Sequence, residues 1–142
     1  KNSHNCGVHI SSTLFDFSYF YSMKSNCNMY ISPVENQMIP WFQIEFTQGH
    51  VILHGFRIER TSWKLKNYRL IGTLKMTDDM NKWETLIEIS ENDENEHQNL
   101  DVYRFPNPSS PIKFVRLVLT GPTWDNQTIL TFYHLDFFGT YF

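Results

Sequence analysis

The chain has 142 residues and a formal net charge of −3, and its twelve Lys and Arg residues are scattered along the sequence. This length suits one domain with a single core, and the scattered basic residues argue against a nucleic-acid partner, which needs a clustered basic surface. No apolar run approaches the roughly 18 residues of a membrane span, and no signal peptide is visible. Aromatic residues form 16% of the chain, which favours half-buried strands and ligand-stacking surfaces.

The first forty residues carry the weakest pattern. Residues 8–10 are a candidate edge strand, and residues 15–28 combine a dense aromatic stretch with a polar segment. Within that stretch, Tyr19 and Tyr21 are candidate contact residues. Apolar spikes that enter a membrane need basic neighbours, and only Lys24 is near. We therefore interpret the stretch as core packing or a protein-contact surface, and we do not expect membrane attachment.

The rest of the chain is predicted to form strands separated by turns, with no convincing amphipathic helix. The candidate strands alternate apolar and polar residues with a period of two, which indicates β-structure rather than helix. They are residues 41–46, 50–58, 68–74, 84–89, 102–105, 114–120 and 129–139. Turn chemistry between them, as at residues 77–81, predicts an antiparallel sandwich or barrel.

Individual positions refine this picture. In the strand at 114–120, Val115, Leu117 and Leu119 share one face and are predicted to point into the core. Trp41 and Trp83 open strands and are predicted to be buried. The run at residues 90–98 is acidic and Asn-rich without an apolar residue, so we interpret it as a solvated loop.

Two Trp residues lie in polar loops. Trp63 lies between the strands at 50–58 and 68–74, and Trp124 lies in the loop before the last strand. Their polar neighbours are Arg60, Ser62, Lys64, Asp125 and Asn126. An exposed Trp beside such groups suits ligands with an apolar face and hydroxyls or amides, such as sugars and peptides. The alternative is that each Trp caps the core at the end of the sandwich.

The ordered set of segments resembles the discoidin domains, also known as coagulation-factor C-type domains. The segments are WFQIEF, VILHGFRIERT, LKNYRLIGTLKMTDDMNKWETL and FVRLVLTGPTWDNQTILTFYHLDFFG. The matching residues are Gly55, Leu65, Gly72, Trp83, Arg116, Gly121, Leu130 and Gly139. Phe56, Tyr68 and Thr73 replace the usual Tyr, Trp and Ser of the family. The match covers roughly residues 41–139, and its spacing is most similar to the intracellular branch found in large adaptor and protist proteins.

The resemblance implies an all-β fold, an antiparallel jelly-roll sandwich of the galactose-binding-domain-like type. It also implies a non-catalytic recognition module whose ligand binds loops at one end of the sandwich, and a structural role for Arg116. We predict a protein or peptide ligand at Arg60 and the loops around Trp63 and Trp124, with residues 15–28 as a third loop. The alternatives are a lectin-like module for galactose-type glycans and a purely structural domain.

The two cysteines, Cys6 and Cys27, are too few for a disulfide scaffold and favour a reducing compartment. Extracellular relatives generally join the two ends of the domain by a disulfide, and Cys6 has no counterpart near Phe142. We therefore predict an intracellular location, cytoplasmic or nuclear, rather than secretion. Because the first residue is not Met, we interpret residues 1–142 as a single domain from a larger parent protein.

We predict no metal, no cofactor and no enzymatic activity. His50 and His54 lie in a strand pattern, where this spacing separates them by about 13 Å, too far to share a zinc ion. The acidic run lacks the turn Gly of a calcium loop, although some relatives hold a structural calcium near the ligand loops, so calcium is the alternative. The sequence contains no G-x-S-x-G elbow, phosphate-cradling Gly loop or Cys–His arrangement that would indicate catalysis.

Overall fold

The computed structural model describes the backbone of residues 5–12, 28–33, 41–47, 49–60, 64–91, 100–126, 130, 132 and 134–141. Side chains are described for those residues from 41 onward, except for His134. Nine strands are present in these segments. They are β1 (Asn5–Ser12), β2 (Asn28–Pro33), β3 (Trp41–Phe46), β4 (Val51–Glu59), β5 (Asn67–Thr73), β6 (Glu84–Ser90), β7 (Leu100–Arg104), β8 (Phe114–Leu119) and β9 (His134–Tyr141).

The strands form two sheets. The large sheet has the order β2-β1-β3-β8-β5-β6, and the small sheet has the order β7-β4-β9. Every described pair is antiparallel except β1 with β2, so the predicted antiparallel sandwich is confirmed. The helical content of the described segments is one 3-10 turn at Met80–Lys82, and none of these segments contains a helix with the length and hydropathy to cross a membrane.

The core lies between the two sheets and follows the alternation in the sequence. Val115, Leu117 and Leu119 of β8 are buried on the inner face of the large sheet, as predicted. Phe56 and Ile58 of β4 are fully buried opposite them in the small sheet. Since side chains of successive strand residues point to opposite faces, the period-two pattern alone was sufficient to place Val115, Leu117 and Leu119 on one buried face.

A second buried cluster covers the outer face of the large sheet. The guanidinium of Arg116 lies between two rings, with its central carbon 4.1 Å from the Trp41 ring centre and 4.6 Å from that of Trp83. Its Nε donates to Oε1 of Gln43 at 2.7 Å, and burial lowers the pKa of Arg116. The predicted burial of Trp41 and Trp83 is confirmed, and Arg116 holds the cluster together by cation–π stacking.

The N-terminal strands differ from the prediction. β1 covers residues 5–12 and pairs with β2 on one side and β3 on the other, so the prediction of an edge strand at residues 8–10 was wrong. The edge position is occupied by β2, which the sequence analysis did not recognise. β2 is a short segment, NMYISP, with little alternation and a terminal Pro. Parallel pairing to β1, rather than a hairpin signal, recruits it to the sheet.

Candidate functional site

Strand ends from both sheets lie at one end of the sandwich. In the small sheet, β4 ends at Glu59, which lies opposite the first residues of β7 and β9. In the large sheet, β8 ends and β5 begins there, and Ser90 at the end of β6 pairs with Asn67. The N–H of Thr120 donates to the carbonyl of Asn67 at 3.0 Å and extends this pairing. We term the set formed by Arg60 and residues 64–67, 90–91 and 120–126 the loop end.

Arg60 is the buried member of the loop end and does not lie on its surface. Its side chain is only 1% exposed and its Nη1 lies 2.9 Å from both carboxylate oxygens of Glu91. The same nitrogen donates to the carbonyl of Leu65 at 2.8 Å, and Nη2 lies 3.0 Å from Oδ2 of Asp101. The prediction of Arg60 as a ligand-contacting residue is therefore corrected. Its charge is used inside the fold, where it joins the β4–β5 segment to the ends of β6 and β7.

Glu91 is a site residue that the sequence analysis missed. The acidic, Asn-rich run at residues 90–98 predicts a solvated loop, whereas the structure buries Glu91 to 4% exposure. Besides Arg60, it accepts hydrogen bonds from Nε1 of Trp124 at 3.0 Å and from the hydroxyl of Tyr103 at 3.3 Å. A buried carboxylate with several charge-assisted donors is held firmly in place. Its position directly after the last residue of β6 was the only signal in the sequence.

Trp124 is anchored at three points. Its backbone N–H donates to the carbonyl of Lys64 at 3.1 Å, and its indole N–H donates to Glu91. The ammonium of Lys66 lies 4.5 Å from the ring centre, within cation–π range. The indole is half-buried. This arrangement fixes one edge of the ring inside the fold and leaves the remainder at the surface.

A tight turn presents the residues that follow Trp124. The N–H of Asn126 donates to the carbonyl of Thr123 at 2.9 Å, and Asn126 has a φ of 61°, a left-handed conformation that Asn tolerates better than most residues. Asp125 and Asn126 are exposed. The turn thus places a carboxylate and an amide at the surface directly beside the anchored indole.

The loop end contains five of the predicted site residues, of which Arg60 is buried. Lys64, Trp124, Asp125 and Asn126 all lie at the loop end, with Lys64 half-buried and in backbone contact with Trp124. The other predicted contact residues, Ser62, Trp63, Tyr19 and Tyr21, lie outside the described residues. Their participation stays a prediction.

Two tyrosines pack beside the buried ion pairs. Burial raises the pKa of Tyr68, and burial together with the nearby carboxylates of Asp101 and Glu91 raises the pKa of Tyr103. A raised tyrosine pKa means that the neutral hydroxyl is favoured over the phenolate. Tyr103 therefore remains a hydrogen-bond donor to Glu91 across the physiological pH range.

The loop end can bind a ligand by stacking and hydrogen bonding. The half-buried indole provides an apolar surface with little conformational freedom, and Lys64, Asp125 and Asn126 provide an ammonium donor, a carboxylate acceptor and an amide that is both. The carboxylates of Glu91 and Asp101 are engaged by Arg60 below the surface. The arrangement suits a ligand that has hydroxyls and one apolar face.

No protein-family model matches the sequence, and no curated protein matches it. Several solved structures are similar in three dimensions. CpGH89CBM32-6, produced by Clostridium perfringens, superposes with a TM-score of 0.64 at 8% identity, over 96% of each chain. A fucolectin from the serum of striped bass, Morone saxatilis, gives a TM-score of 0.55 at 15% identity, over 74% of this chain and 34% of that one.

A third structure, CpGH89CBM32-5 from Clostridium perfringens in complex with GalNAc-β-1,3-galactose, gives a TM-score of 0.52 at 17% identity, over 72% and 68% of the two chains. At these identities the likeness is one of fold. The predicted galactose-binding-domain-like jelly roll is therefore confirmed, whereas placement in the intracellular branch stays a prediction. The chain spans about a third of the fucolectin.

Proposed function

We propose that the chain is a non-catalytic carbohydrate-binding module that holds its glycan at the loop end. The observation that carries this proposal is the anchoring of Trp124. Its backbone N–H is bound by Lys64, its indole N–H by Glu91, and its ring by the ammonium of Lys66. A preorganised indole is ready to stack on the apolar face of a sugar ring without further loss of side-chain entropy.

The ligand class follows from the neighbours of that indole and from the similar structures. Asp125 is placed to accept hydrogen bonds from sugar hydroxyls, Asn126 to donate and accept, and Lys64 to donate. Two of the similar structures are a fucolectin and a complex with GalNAc-β-1,3-galactose. Together these features favour a galactose-type glycan over the protein or peptide ligand that the sequence analysis put first.

Three further residues have a positioning role in this proposal. Glu91 holds the indole N–H, Arg60 holds Glu91, and Lys66 covers the ring. None of them needs to touch the glycan. Ser62, Trp63, Tyr19 and Tyr21 remain additional predicted contacts.

Replacing Trp124 by Ala is expected to weaken glycan binding by about 30-fold, the effect of losing a hot-spot contact of about 2 kcal/mol. The measurement is binding of the purified domain to an immobilised glycan panel, with and without a calcium chelator. Trp124→Phe, which keeps an aromatic surface but loses the indole N–H, should retain part of the affinity. Leu74→Ala, which removes an exposed apolar side chain at the opposite end of the sandwich, is the matched control and should bind as the parent does.

Thermal melting separates a binding defect from a folding defect. The Trp124→Ala protein should melt within a few degrees of the parent, because Glu91 keeps its bonds to Arg60 and Tyr103. Unchanged glycan binding by this variant, or no binding to any glycan of the panel by the parent domain, would contradict the proposal. Loss of binding with the chelator would add calcium to the site.

A further inference from the structure

The outer face of the small sheet carries a groove whose lining residues are distinct from those of the loop end. Its volume is about 250 Å³. It is lined by His54, Gly55, Val102, Tyr103, Arg104 and Phe138. The apolar side chains on its flanks are unusually open to solvent for residues of their type, since Val102 is 65% exposed and Phe138 is 44% exposed. Exposed apolar residues that cluster around a concavity indicate a binding surface.

The shape of this groove depends on Gly55. The pairing of β4 with β9 shifts register between Leu53 and Gly55, as in a β-bulge. A Cβ atom at position 55 would lie 2.4 Å from the carbonyl oxygen of Tyr103, so only Gly allows β7 to approach β4 this closely. The missing side chain also leaves the centre of the groove open between Val102 and Phe138.

The lining of the groove contains a positively charged side chain and no negatively charged one. Arg104 is exposed and forms no ion pair with any residue in the described part of the chain. Its neighbour on the same face, Arg57, is paired with Asp136, and Asp101 is engaged by Arg60. The lining therefore contains a permanent cation and no carboxylate, and a guanidinium of this kind is suited to bidentate binding of a carboxylate.

We propose that this groove is a second binding site, for an acidic peptide segment of a partner protein. An apolar side chain of the peptide lies in the groove between Val102 and Phe138, and a neighbouring carboxylate pairs with Arg104. A second copy of this chain is a poor occupant, because an isologous contact would bring two such linings together with no carboxylate for either Arg104.

This site is independent of the proposed glycan function. The groove is lined by residues of β4, β7 and β9, whereas the proposed glycan contacts lie at the loop end. The two sets of contact residues do not overlap, although the hydroxyl of Tyr103 in the groove lining donates to Glu91 of the loop end. Failure of either proposal would thus leave the other standing.

The test is an NMR titration of the ¹⁵N-labelled domain with the peptide acetyl-Phe-Ser-Glu-Ser-Leu-amide. In an extended peptide its two apolar side chains and its carboxylate share one face, since alternate residues point the same way. The control peptide has Lys in place of Glu. Chemical shift changes at Val102, Arg104 and Phe138 are expected with the Glu peptide and at least tenfold weaker binding with the Lys peptide.

A charge reversal sharpens the test. Arg104→Glu is expected to invert the preference, so that the Lys peptide binds at least tenfold more tightly than the Glu peptide. Lys75→Glu is the matched control, because it reverses an exposed charge at the end of the sandwich opposite the loop end. This variant should keep the parent's preference for the Glu peptide. Thermal melting verifies that both variants are folded.

Three results would overturn the proposal. They are equal binding of the two peptides, absence of shift changes up to millimolar peptide, and shift changes confined to residues 64–66 and 123–126. The last result would assign peptide binding to the loop end instead.

Discussion

Replacing Arg60 by Met is expected to lower the free energy of unfolding by about 3–5 kcal/mol, the usual cost of removing one partner of a buried ion pair. Met keeps most of the side-chain volume, so the loss comes from charge rather than packing. The variant would leave Glu91 buried without the guanidinium that lies 2.9 Å from both of its oxygens. For a domain whose total stability is roughly 5–15 kcal/mol, this is a large fraction, and urea denaturation measures it directly.

Arg57→Met is the matched control, because Arg57 lies in β4, just before Arg60, and is also paired with a carboxylate, Asp136. Its side chain is 45% exposed, and surface pairs contribute at most about 1 kcal/mol. A second control is the double variant Arg60→Met with Glu91→Leu, which should be less destabilised than the sum of its parts. A cost below about 1 kcal/mol for Arg60→Met would mean that the buried network contributes little to the fold.

Replacing Trp83 by Ala is expected to cost about 3–5 kcal/mol, as for other large buried aromatic residues. Trp83 is 5% exposed, and its indole N–H donates to the carbonyl of Thr77 at 3.1 Å. The substitution would also uncover one face of the Arg116 guanidinium, which then keeps its cation–π contact with Trp41 but loses the one with Trp83. The lost contacts within the second cluster would therefore destabilise the protein in addition to the lost burial of the indole. Chemical denaturation measures the total decrease in the free energy of unfolding.

Two variants serve as controls for the destabilisation expected of Trp83→Ala. Trp83→Phe retains a ring against Arg116 and should cost clearly less than the Ala variant. Leu74→Ala, at a residue that is 46% exposed, should stay within about 0.5 kcal/mol of the parent. If Trp83→Ala itself cost less than about 1 kcal/mol, the outer cluster would not be the stabilising layer that its burial indicates.

The strands were predictable because alternation is a local property of the sequence. The strand at residues 41–46 was predicted without error, and those at 84–89 and 114–120 to within one residue. By contrast, β2 was missed because no local pattern announces a short parallel strand. The internal position of β1 was missed for the same reason. The sequence of β1 alone does not reveal that a second strand, β2, pairs with its other edge.

The site was predictable only in its surface residues. Trp124, Asp125 and Asn126 were found because an aromatic residue in a polar loop is a visible signal. The roles of Arg60 and Glu91 depend on an ion pair between positions 31 residues apart, and burial reverses what their charges suggest in the sequence. A charged residue next to a strand end is therefore predicted to be exposed to solvent unless the residue that forms an ion pair with it is known.

The central claim is that the loop end holds a glycan, and the most direct measurement is chemical shift mapping of the ¹⁵N-labelled domain with GalNAc-β-1,3-galactose. We expect the largest changes at residues 64–66 and 123–126, including the indole N–H of Trp124, and no comparable change in Trp124→Ala. Changes centred on residues 74–82 at the opposite end, or none up to millimolar glycan, would contradict it.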